Sequence, residues 1–472
     1  MSRISILMPV YNEVEYVATV VARVFAVDFG GDVETEIVAV DDGSTDGSAE
    51  ALEELARRYR GRLRLVKHGA NRGKGAAIRT AIAHATGQFA VIQDSDLEYN
   101  PNDLPNVLRP LLNGYADAVF GSRFMAAGER RVLYFWHSLA NRILTTCCNA
   151  VADLNLTDMS TGYKAFRLSL IRSIPLRSDG FGVEPELAIK LAQRGAALYE
   201  APISYRGRTY AEGKKIKRSD ALRTLWSIVS FGLRRDVYLD RGARILDALA
   251  QTPRFNAWMA ATVRGYVGAN VLEIGAGIGS LTQLLCPSRK SYSATDFDEE
   301  HLARLAVRFQ NRPNVRIAHC DLSEPADFSQ FQSAFDTVVC LNVLEHIQED
   351  GTGLKNIWNA LVPAGRAVML VPQDQSVYGT LDAVLGHHRR YSADELRSKM
   401  QAAGFEIETV FQFNRVTRFG WRLNGRWLKR KGFGRLQLWL FDHLVWLWRR
   451  IDRFLPWPGV SLIAIGKKPA SP

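Results

Sequence analysis

The fold of the first half of the chain is indicated by one segment, Phe89-Ala90-Val91-Ile92-Gln93-Asp94-Ser95-Asp96-Leu97-Glu98. Its first four residues form a short apolar run after Gly87, which is typical of a buried strand, and the run ends in acidic residues. Because side chains alternate along an extended chain, we expect Asp94, Asp96 and Glu98 on one side. A hard divalent ion with oxygen ligands, Mg²⁺ or Mn²⁺, would relieve their repulsion. The alternative is a solvated loop whose aspartates cap a helix.

The length and composition limit the number of domains, the kinds of partner and the location that we expect. A chain of 472 residues is too long for one ordinary core, so at least two domains are expected. The net charge of +11 suits anionic partners such as nucleotides, lipid phosphates or anionic membrane. The five cysteines include no C-x-x-C pair, so no disulfide framework or zinc site is predicted. No basic region precedes the first apolar run, which is too short for a signal peptide, and a cytoplasmic protein is expected.

Two polar motifs earlier in the chain occupy positions equivalent to the acidic segment. Pro9–Glu13 follows a first apolar run and Asp41–Gly43 follows a second, with helical patterns between them. This alternation predicts an α/β fold with a parallel sheet, whose ligands lie beyond the carboxyl ends of the strands. The glycine-rich loop Asn71–Gly75 would favour an anion at a helix start, although it lacks the P-loop spacing.

A family resemblance rests on several motifs together. They are Pro9-Val10-Tyr11-Asn12-Glu13, Val40-Asp41-Asp42-Gly43-Ser44, Asn71 to Gly75, Asp94-Ser95-Asp96-Leu97, Gly121-Ser122-Arg123 and Tyr205 to Lys214. Across about residues 3–220 the chain resembles the family-2 glycosyltransferases, in particular the dolichol- or polyprenyl-phosphate sugar transferases. The resemblance implies a GT-A fold that uses a nucleotide-diphosphate sugar.

The resemblance also implies roles for individual residues. The nucleoside would be held by Pro9, Tyr11, Glu13 and Asp42. The metal on the diphosphate would be held by Asp94, Asp96 and Glu98. The departing diphosphate would meet Arg208 and Lys214, and the phosphate of the acceptor would meet Arg123. Such charges stabilise the leaving group, and an anionic phosphate acceptor needs little help from a base, so the transfer should invert the sugar carbon.

Each of the other candidate segments of the first half allows two interpretations. Glu184 and Glu186 are candidates for substrate contact, with a structural role equally expected. The aromatic and aliphatic segments Tyr134–Asn141 and Leu222–Val229 could contact a lipid tail or a bilayer, or pack in a core. We expect a peripheral location on the inner face of an anionic membrane.

The second half begins with a change of pattern. We predict a first domain over 1–235, a linker over 236–254 and a second domain over 255–472. In that domain Asn270–Ser280 reads as a strand, a glycine turn and a helix start, which suits a dinucleotide or S-adenosylmethionine. Asp296 ends the next strand, where an acid binds ribose hydroxyls.

Later segments favour S-adenosylmethionine. Together with His319-Cys320-Asp321-Leu322 and Phe335 to Ile347, the glycine turn resembles the class I methyltransferases, with a Rossmann-like fold, across about 255–410. The cofactor residues implied by this resemblance are Glu273, Gly275, Gly277, Asp296 and Asp321. Methyl transfer needs little beyond alignment, so the base is poorly encoded. Candidates for it are His346, His387, His388 and Tyr391, each with a structural role as the alternative.

The predicted function is therefore bifunctional. One half would transfer a sugar to a polyprenyl phosphate, and the other would methylate a glycan or a small molecule. The alternative is a soluble or glycan hydroxyl acceptor, with the methyltransferase half a non-catalytic module. The apolar, basic-flanked tail Leu436–Arg450 is too short to span a bilayer. It would lie on an anionic leaflet, or pack on its own domain or on another subunit. A nucleic acid partner is not expected.

Overall fold

A computed structural model divides the chain into two compact units, Met1–Leu239 and Asp240–Pro472. The residues described are 2–31, 33–125, 132, 134–207, 218–234, 236–238, 249, 252–430, 432 and 434–470. Most of the predicted linker 236–254 lies outside this set, and each unit is described by itself.

The first unit alternates strands and helices, as the sequence predicts. Its strands are β1 Ser2–Val10, β2 Val33–Asp41, β3 Leu63–Lys67, β4 Phe89–Ile92, β5 Ala118–Ser122, β6 Lys164–Arg167 and β7 Leu198–Pro202. Its helices are α1 Val17–Phe25, α2 Ser48–Arg58, α3 Lys74–His84, α4 Leu104–Leu112, α5 Phe135–Ala152, α6 Leu168–Ser173, α7 Val183–Gln193 and α8 Arg218–Leu233. The strands form one seven-stranded sheet in the order β3-β2-β1-β4-β6-β5-β7.

The apolar runs are strands buried on both faces of this sheet. Ile6 and Met8 of β1 belong to one core cluster, whereas Leu7 between them belongs to the cluster on the other face. A strand covered by helices on both sides reads as a continuous apolar run rather than as an alternating one. This explains why such short runs identify the strands.

The register of the central strands brings the polar motifs to one edge. β1 pairs in parallel with β2 and with β4, with Val10 opposite Asp41 and Leu7 opposite Ile92. The carboxyl ends of these three strands therefore lie side by side. β6 runs antiparallel to β4 and β5, so the sheet is mixed.

The second unit has its own seven-stranded sheet. Its strands are β8 Asn270–Ile274, β9 Ser291–Asp296, β10 Val315–His319, β11 Phe335–Leu341, β12 Leu361–Pro372, β13 Glu406–Phe413 and β14 Ser461–Lys467. Its helices are α9 Pro253–Val263, α10 Thr282–Leu285, α11 Glu299–Phe309, α12 Asp350–Ala360, α13 Thr380–Leu385, α14 Ala393–Ala402, α15 Arg418–Arg422, α16 Arg435–His443 and α17 Val445–Ile451. The strand order is β10-β9-β8-β11-β12-β14-β13.

The last strand explains why the tail folds back. β14 lies between β12 and β13 and is antiparallel to both, so the end of the chain completes the sheet. The apolar run Val460–Ile465 supplies most of this strand.

The apolar tail packs in part on its own unit. Phe441 of α16 contacts the ring of Phe255 in α9, and Val445 of α17 is buried. Leu436 and Trp439 of α16 are exposed. Within the described part of the chain, no helix is long and apolar enough to cross a membrane.

Candidate functional site

The first unit contains a cavity of about 750 Å³ at the carboxyl edge of its sheet. The predicted site residues among its lining are Pro9, Tyr11, Glu13, Asp42, Asp94, Asp96, Glu98 and Arg123. Pro9 lies at the end of β1, and the others come from loops that follow a strand, since β1, β2, β4 and β5 all end at this edge. The residues that the sequence scatters over more than a hundred positions thus meet in one pocket.

The acidic segment after β4 is partly neutralised by the protein itself. The Lys74 ammonium lies 2.9 Å from Oδ1 and 3.1 Å from Oδ2 of Asp94, and 3.5 Å from Oε1 of Glu184. Burial alone would lower the pKa of Lys74, but the charges of Asp94 and Glu184 outweigh it and raise that pKa. Lys74 is therefore a permanent cation inside the cavity.

The other two acids of the segment have partners of a different kind. Oδ1 of Asp96 accepts a hydrogen bond from the backbone N–H of Glu98 at 3.1 Å. The Tyr205 hydroxyl donates to Oε2 of Glu98 at 2.7 Å, which ties the segment after β7 to the acidic loop. A backbone bridge between Tyr99 and Tyr205 reinforces this connection.

These contacts bear on whether the acids suit a metal ion. Asp94 and Asp96 carry oxygen donors into the cavity, the ligand type that Mg²⁺ and Mn²⁺ prefer. An ion there would share Asp94 with Lys74. Among the residues that the structure describes, the group whose three ligand atoms all lie within 4.8 Å of one another occurs in the second unit, not at this segment. The donor type fits a divalent ion, which Asp94 and Asp96 would hold, whereas Glu98 accepts a hydrogen bond from Tyr205.

Asp42 organises the glycine-rich loop. Its carboxylate accepts hydrogen bonds from the backbone N–H groups of Arg72 at 3.0 Å and Gly73 at 2.7 Å, and its Oδ1 lies 2.6 Å from Nδ1 of His68. Gly73 has a φ of 98°, and a Cβ there would lie 2.5 Å from the carbonyl oxygen of Asp179. The loop N–H groups that the sequence suggested for an anion are thus bound to Asp42.

The loop after β1 is held by hydroxyl and carboxylate groups of the loop before α2. The backbone N–H of Glu13 donates to Ser48 Oγ at 2.9 Å, and that of Asn12 donates to Ser44 Oγ at 3.0 Å. The Asn12 side chain accepts in turn from the N–H of Thr45 at 2.9 Å. Two loops distant in sequence therefore form one rigid wall of the cavity.

Arg123 is paired with an acid that the sequence analysis missed. Its Nε and Nη2 donate to the two oxygens of Asp158 at 2.6 and 2.7 Å, and Asp158 is fully buried. Asn141 donates to the same carboxylate at 3.3 Å. A bidentate geometry of this kind leaves the remaining guanidinium N–H groups for other acceptors, and Arg123 lines the cavity. No local pattern marks Asp158, since 35 positions separate the partners.

Two glutamates that look alike in sequence have different environments. Glu184 lines the cavity next to Lys74, and burial raises its pKa against the charges of Lys164 and Lys74. Glu186 is fully buried and accepts from the backbone N–H groups of Arg177 and Ser178 at 2.8 Å each. The structure therefore gives Glu186 a structural role and leaves Glu184 as the candidate for substrate contact.

The remaining candidates of this half, Arg208 and Lys214, lie outside the described residues. Lys74 was noted in the sequence only as part of a basic loop. Its role as the cation between Asp94 and Glu184 could be found only from the packing of α3 beside the end of β4.

In the second unit, the predicted glycine turn follows β8. Gly275 has a φ of 71°, and a Cβ there would lie 2.3 Å from Cγ2 of Val343. The N–H of Ala276 donates to the carbonyl of Thr295 at 2.9 Å, and that of Gly277 donates to Oδ2 of Asp296 at 2.8 Å. The turn therefore lies against the end of β9.

The acids predicted for the cofactor differ in how they are held. Asp296 lies 3.2 Å from Nδ1 of His301; burial would raise the pKa of Asp296, but the hydrogen bond from His301 and its charge lower it. Glu273 accepts from Thr282 at 2.6 Å and from Tyr292 at 3.1 Å, and burial raises its pKa to about 7. Asp321 accepts from the Ser323 N–H at 2.8 Å. Asp296 and the open backbone at Gly277 are the features that best fit a nucleoside ligand.

Of the candidates for a base, His346 follows β11 and the other three follow α13. The rings of His346 and His387 meet edge to face, with centroids 4.9 Å apart. His388 is exposed and adjacent to them in sequence. The Tyr391 hydroxyl donates to Asp350 at 2.9 Å, which indicates a structural role for Tyr391.

Comparisons with known proteins agree with this division. Residues 5–174 match the family model described as Glycosyl transferase family 2, and residues 272–367 match the one described as Methyltransferase domain.

Two curated relatives match the first unit. The glycosyltransferase AglJ of Haloferax volcanii is 33% identical over 205 residues, which cover 43% of this chain and 62% of that protein. A dolichol-phosphate mannosyltransferase of Pyrococcus furiosus is 26% identical over 220 residues, covering 45% and 60%. The chain thus spans about three fifths of the length of these relatives.

Among solved structures, glucosyl-3-phosphoglycerate synthase from Mycobacterium tuberculosis, in complex with phosphoglyceric acid, is similar with a TM-score of 0.39. Its identity is 22%, and the match covers 49% of this chain and 80% of that one. The prediction of two α/β folds, GT-A in the first unit and Rossmann-like in the second, is confirmed.

Proposed function

We propose that this chain, which joins a family-2 glycosyl transferase domain to a methyltransferase domain, catalyses two group transfers. The first unit would move a sugar from a nucleotide-diphosphate sugar to a polyprenyl phosphate, with inversion. The second would move a methyl group from S-adenosylmethionine to a glycan or a small molecule. The observation that carries the first proposal is the cavity in which Lys74 faces Asp94 and Glu184.

The cavity has the size and the charges that a nucleotide sugar requires. A volume of about 750 Å³ lies within the range typical of small-molecule sites. When the bond to the sugar breaks, negative charge accumulates on the diphosphate, and cations held in place beforehand stabilise it. Lys74 is one such cation, and we propose that a divalent ion on Asp94 and Asp96 supplies more positive charge.

The acceptor is proposed from the surface beside the cavity. Trp136 of α5 and Trp226 of α8 are 73% and 72% exposed, and Phe135 and Leu222 beside them are also exposed. The neighbouring side chains His137 and Asn141 on α5, and Thr224 on α8, line the cavity. An apolar surface next to a charged pocket suits a substrate with a lipid tail and a phosphate head.

Arg123 is the proposed contact for the acceptor phosphate. Asp158 holds its guanidinium in one orientation, so little side-chain freedom is lost when a phosphate binds. The nucleophile would be a phosphate oxygen, already negative, which forms the new bond to the sugar carbon as the bond to the diphosphate breaks. The name of the relative from Pyrococcus furiosus supports this acceptor class.

The protein is proposed to be peripheral on an anionic membrane. The exposed tryptophans of α5 and α8 could enter the interface, while the basic residues of the chain contact anionic headgroups. This location would bring the cavity to a membrane-bound acceptor.

The test is a screen of labelled nucleotide sugars with a short polyprenyl phosphate, with and without Mg²⁺ or Mn²⁺. Transfer of label into organic solvent, dependent on the polyprenyl phosphate, is expected. Asp96→Asn should lower the rate strongly, whereas the exposed helical Glu50→Gln should not. Label only in a water-soluble glycan would contradict the lipid acceptor, and retention at the sugar carbon would contradict the mechanism.

For the second unit, S-adenosylmethionine supplies an electrophilic methyl group when bound, and the protein aligns the acceptor with it. Calorimetry is expected to show one binding event that Asp296→Ala weakens and that Asp394→Ala, on an exposed helix start, leaves unchanged. If the wild-type chain does not bind the cofactor, the unit is a non-catalytic module.

A further inference from the structure

A cluster of three potential metal ligands lies in the second unit. Glu345, His346 and His387 each place one ligand atom within 4.8 Å of the others. Glu345 and His346 follow β11, in the short turn Leu344–His346, and His387 follows α13. The cluster thus joins two segments at the carboxyl edge of the sheet, where Val343 contacts Gly275 of the glycine turn.

The Glu345 carboxylate is an uncompensated buried group. Its side chain is fully buried, and neither of its oxygens has a hydrogen-bond partner among the described residues. The nearby Arg390 guanidinium donates instead to Asp382 and to the carbonyl oxygen of Gln373. An unpartnered buried carboxyl group is costly, and it needs an ion, a proton or a ligand to compensate it.

His387 is oriented as a metal ligand is. Its Nδ1 lies 3.0 Å from Oδ1 of Asp382, and since a carboxylate only accepts, Nδ1 carries the proton. Its Nε2 lone pair then faces Glu345, with Nε2 3.9 Å from Oε1. Asp382 is itself fixed by Nε of Arg390 at 2.8 Å. A ligating histidine typically donates its second N–H to a carboxylate in this way.

His346 is suited to be the third ligand. Its ring lies edge to face with that of His387, with the centroids 4.9 Å apart, and one of its ring nitrogens lies within 4.8 Å of ligand atoms of Glu345 and His387. In a tetrahedral site with metal–ligand distances of about 2.1 Å, ligand atoms lie about 3.4 Å apart. The Glu345–His387 distance would need to shorten by about 0.5 Å and the other two by at most about 1.4 Å, which side-chain rotations can supply.

We propose that Glu345, His346 and His387 bind a divalent transition-metal ion of the Zn²⁺ or Fe²⁺ class. Two imidazoles and one carboxylate favour such an ion over Mg²⁺, for which oxygen ligands are preferred. Three protein ligands leave at least one position open, as in sites with an exchangeable ligand rather than in closed structural sites. This site is separate from the proposed Mg²⁺ or Mn²⁺ site of the first unit.

The test is binding of Zn²⁺ and Co²⁺ to the untagged full chain after chelation, in excess Mg²⁺. We expect one ion per chain, with Co²⁺ bands in the visible spectrum that report nitrogen and oxygen ligation. Glu345→Gln and His387→Gln should each weaken binding by at least about 100-fold, more than the loss of a supporting residue does. His388→Gln, the exposed neighbour, is the matched control and should bind within about twofold of wild type.

Two results would overturn the proposal. The first is a wild-type chain that binds neither ion. The second is a metal affinity that neither Glu345→Gln nor His387→Gln lowers, or that His388→Gln abolishes. Circular dichroism of each metal-free variant separates loss of a ligand from loss of the fold. Because binding is measured without any methyl acceptor, the outcome is independent of whether the second unit transfers methyl groups.

Discussion

The sharpest prediction concerns the two glutamates Glu184 and Glu186, which stand two positions apart in α7. Replacement of each by glutamine changes the same atoms at nearly the same place in sequence. We expect Glu186→Gln to destabilise the first unit and Glu184→Gln to leave its stability nearly unchanged while lowering sugar transfer.

The magnitude for Glu186 follows from its surroundings. Its carboxylate is fully buried, and it lies 2.7 Å from the ammonium of Lys190, whose side chain is 1% exposed. Glutamine cannot neutralise that ammonium, and its NH₂ group cannot accept one of the backbone N–H groups of Arg177 and Ser178. Removal of one partner from a buried ion pair typically costs about 3–5 kcal/mol. In a domain of this size that corresponds to a decrease in Tm of about 6–20 °C.

We expect Glu184→Gln to have a different effect on stability. It borders the cavity, and its nearest cation, Lys74, keeps Asp94 as a partner when Glu184 is neutral. The buried Lys164 ammonium also faces Glu184, and it keeps its hydrogen bond to the carbonyl oxygen of Thr161 and the charge of Asp158 when residue 184 is glutamine. We therefore expect the variant to stay folded. The expected change is in the rate of transfer and in the affinity for the diphosphate.

The assay is differential scanning calorimetry of the full chain. The quantity compared is the midpoint temperature of each unfolding transition in the wild type and in the two variants. The control is Glu53→Gln, which breaks an exposed ion pair with Lys67 and should not move the midpoint measurably. If Glu186→Gln melts with the wild type, or if Glu184→Gln is the variant that unfolds, the assignment of the two roles is wrong.

Three further predictions follow from other groups. Burial raises the pKa of Glu273 from 4.5 to about 7, so its contribution to stability is full below pH 4.5 and is lost, by about 3 kcal/mol, as the pH rises through 7. Glu273→Gln should remove this slope from pH-dependent unfolding, and an unchanged slope would contradict the assignment. Lys74→Met should weaken binding of a nucleoside diphosphate about 10- to 100-fold by calorimetry, the value of a charge-assisted hydrogen bond, and equal affinity would exclude Lys74 from the site. Trp136→Gln with Trp226→Gln should reduce sedimentation with phosphatidylglycerol vesicles at an unchanged Tm, and undiminished sedimentation would show that this surface is not the membrane contact.

Much of the architecture could be predicted because it is encoded locally. The run Phe89–Ile92 forms β4 with the predicted bounds. Short apolar runs alternating with amphipathic segments leave few options other than a doubly wound sheet. The carboxyl ends of parallel strands share an edge, so residues after three strands could be assigned to one site before their distances were known.

The pairing of the charged groups could not be predicted in the same way. The sequence predicts Asp94, Asp96 and Glu98 together as metal ligands, whereas in the structure Asp94 pairs with Lys74 and Glu98 accepts a hydrogen bond from Tyr205. These partners come from parts of the chain far from the acidic segment. A change of a few ångströms in packing would therefore pair each acid with a different residue. Whether these acids also hold a metal remains a prediction for the transfer assay.

By itself, the sequence determined the order of strands and helices, the positions of the turns and the two family resemblances, because these depend on local patterns of residues. Only the tertiary structure decided that Glu184 rather than Glu186 lines the cavity. It alone showed that Asp158 pairs with Arg123 and that the Glu345 carboxylate lies near the His387 ring. Electrostatic partners are set by distance and burial, and both arise when segments far apart in the chain pack against one another.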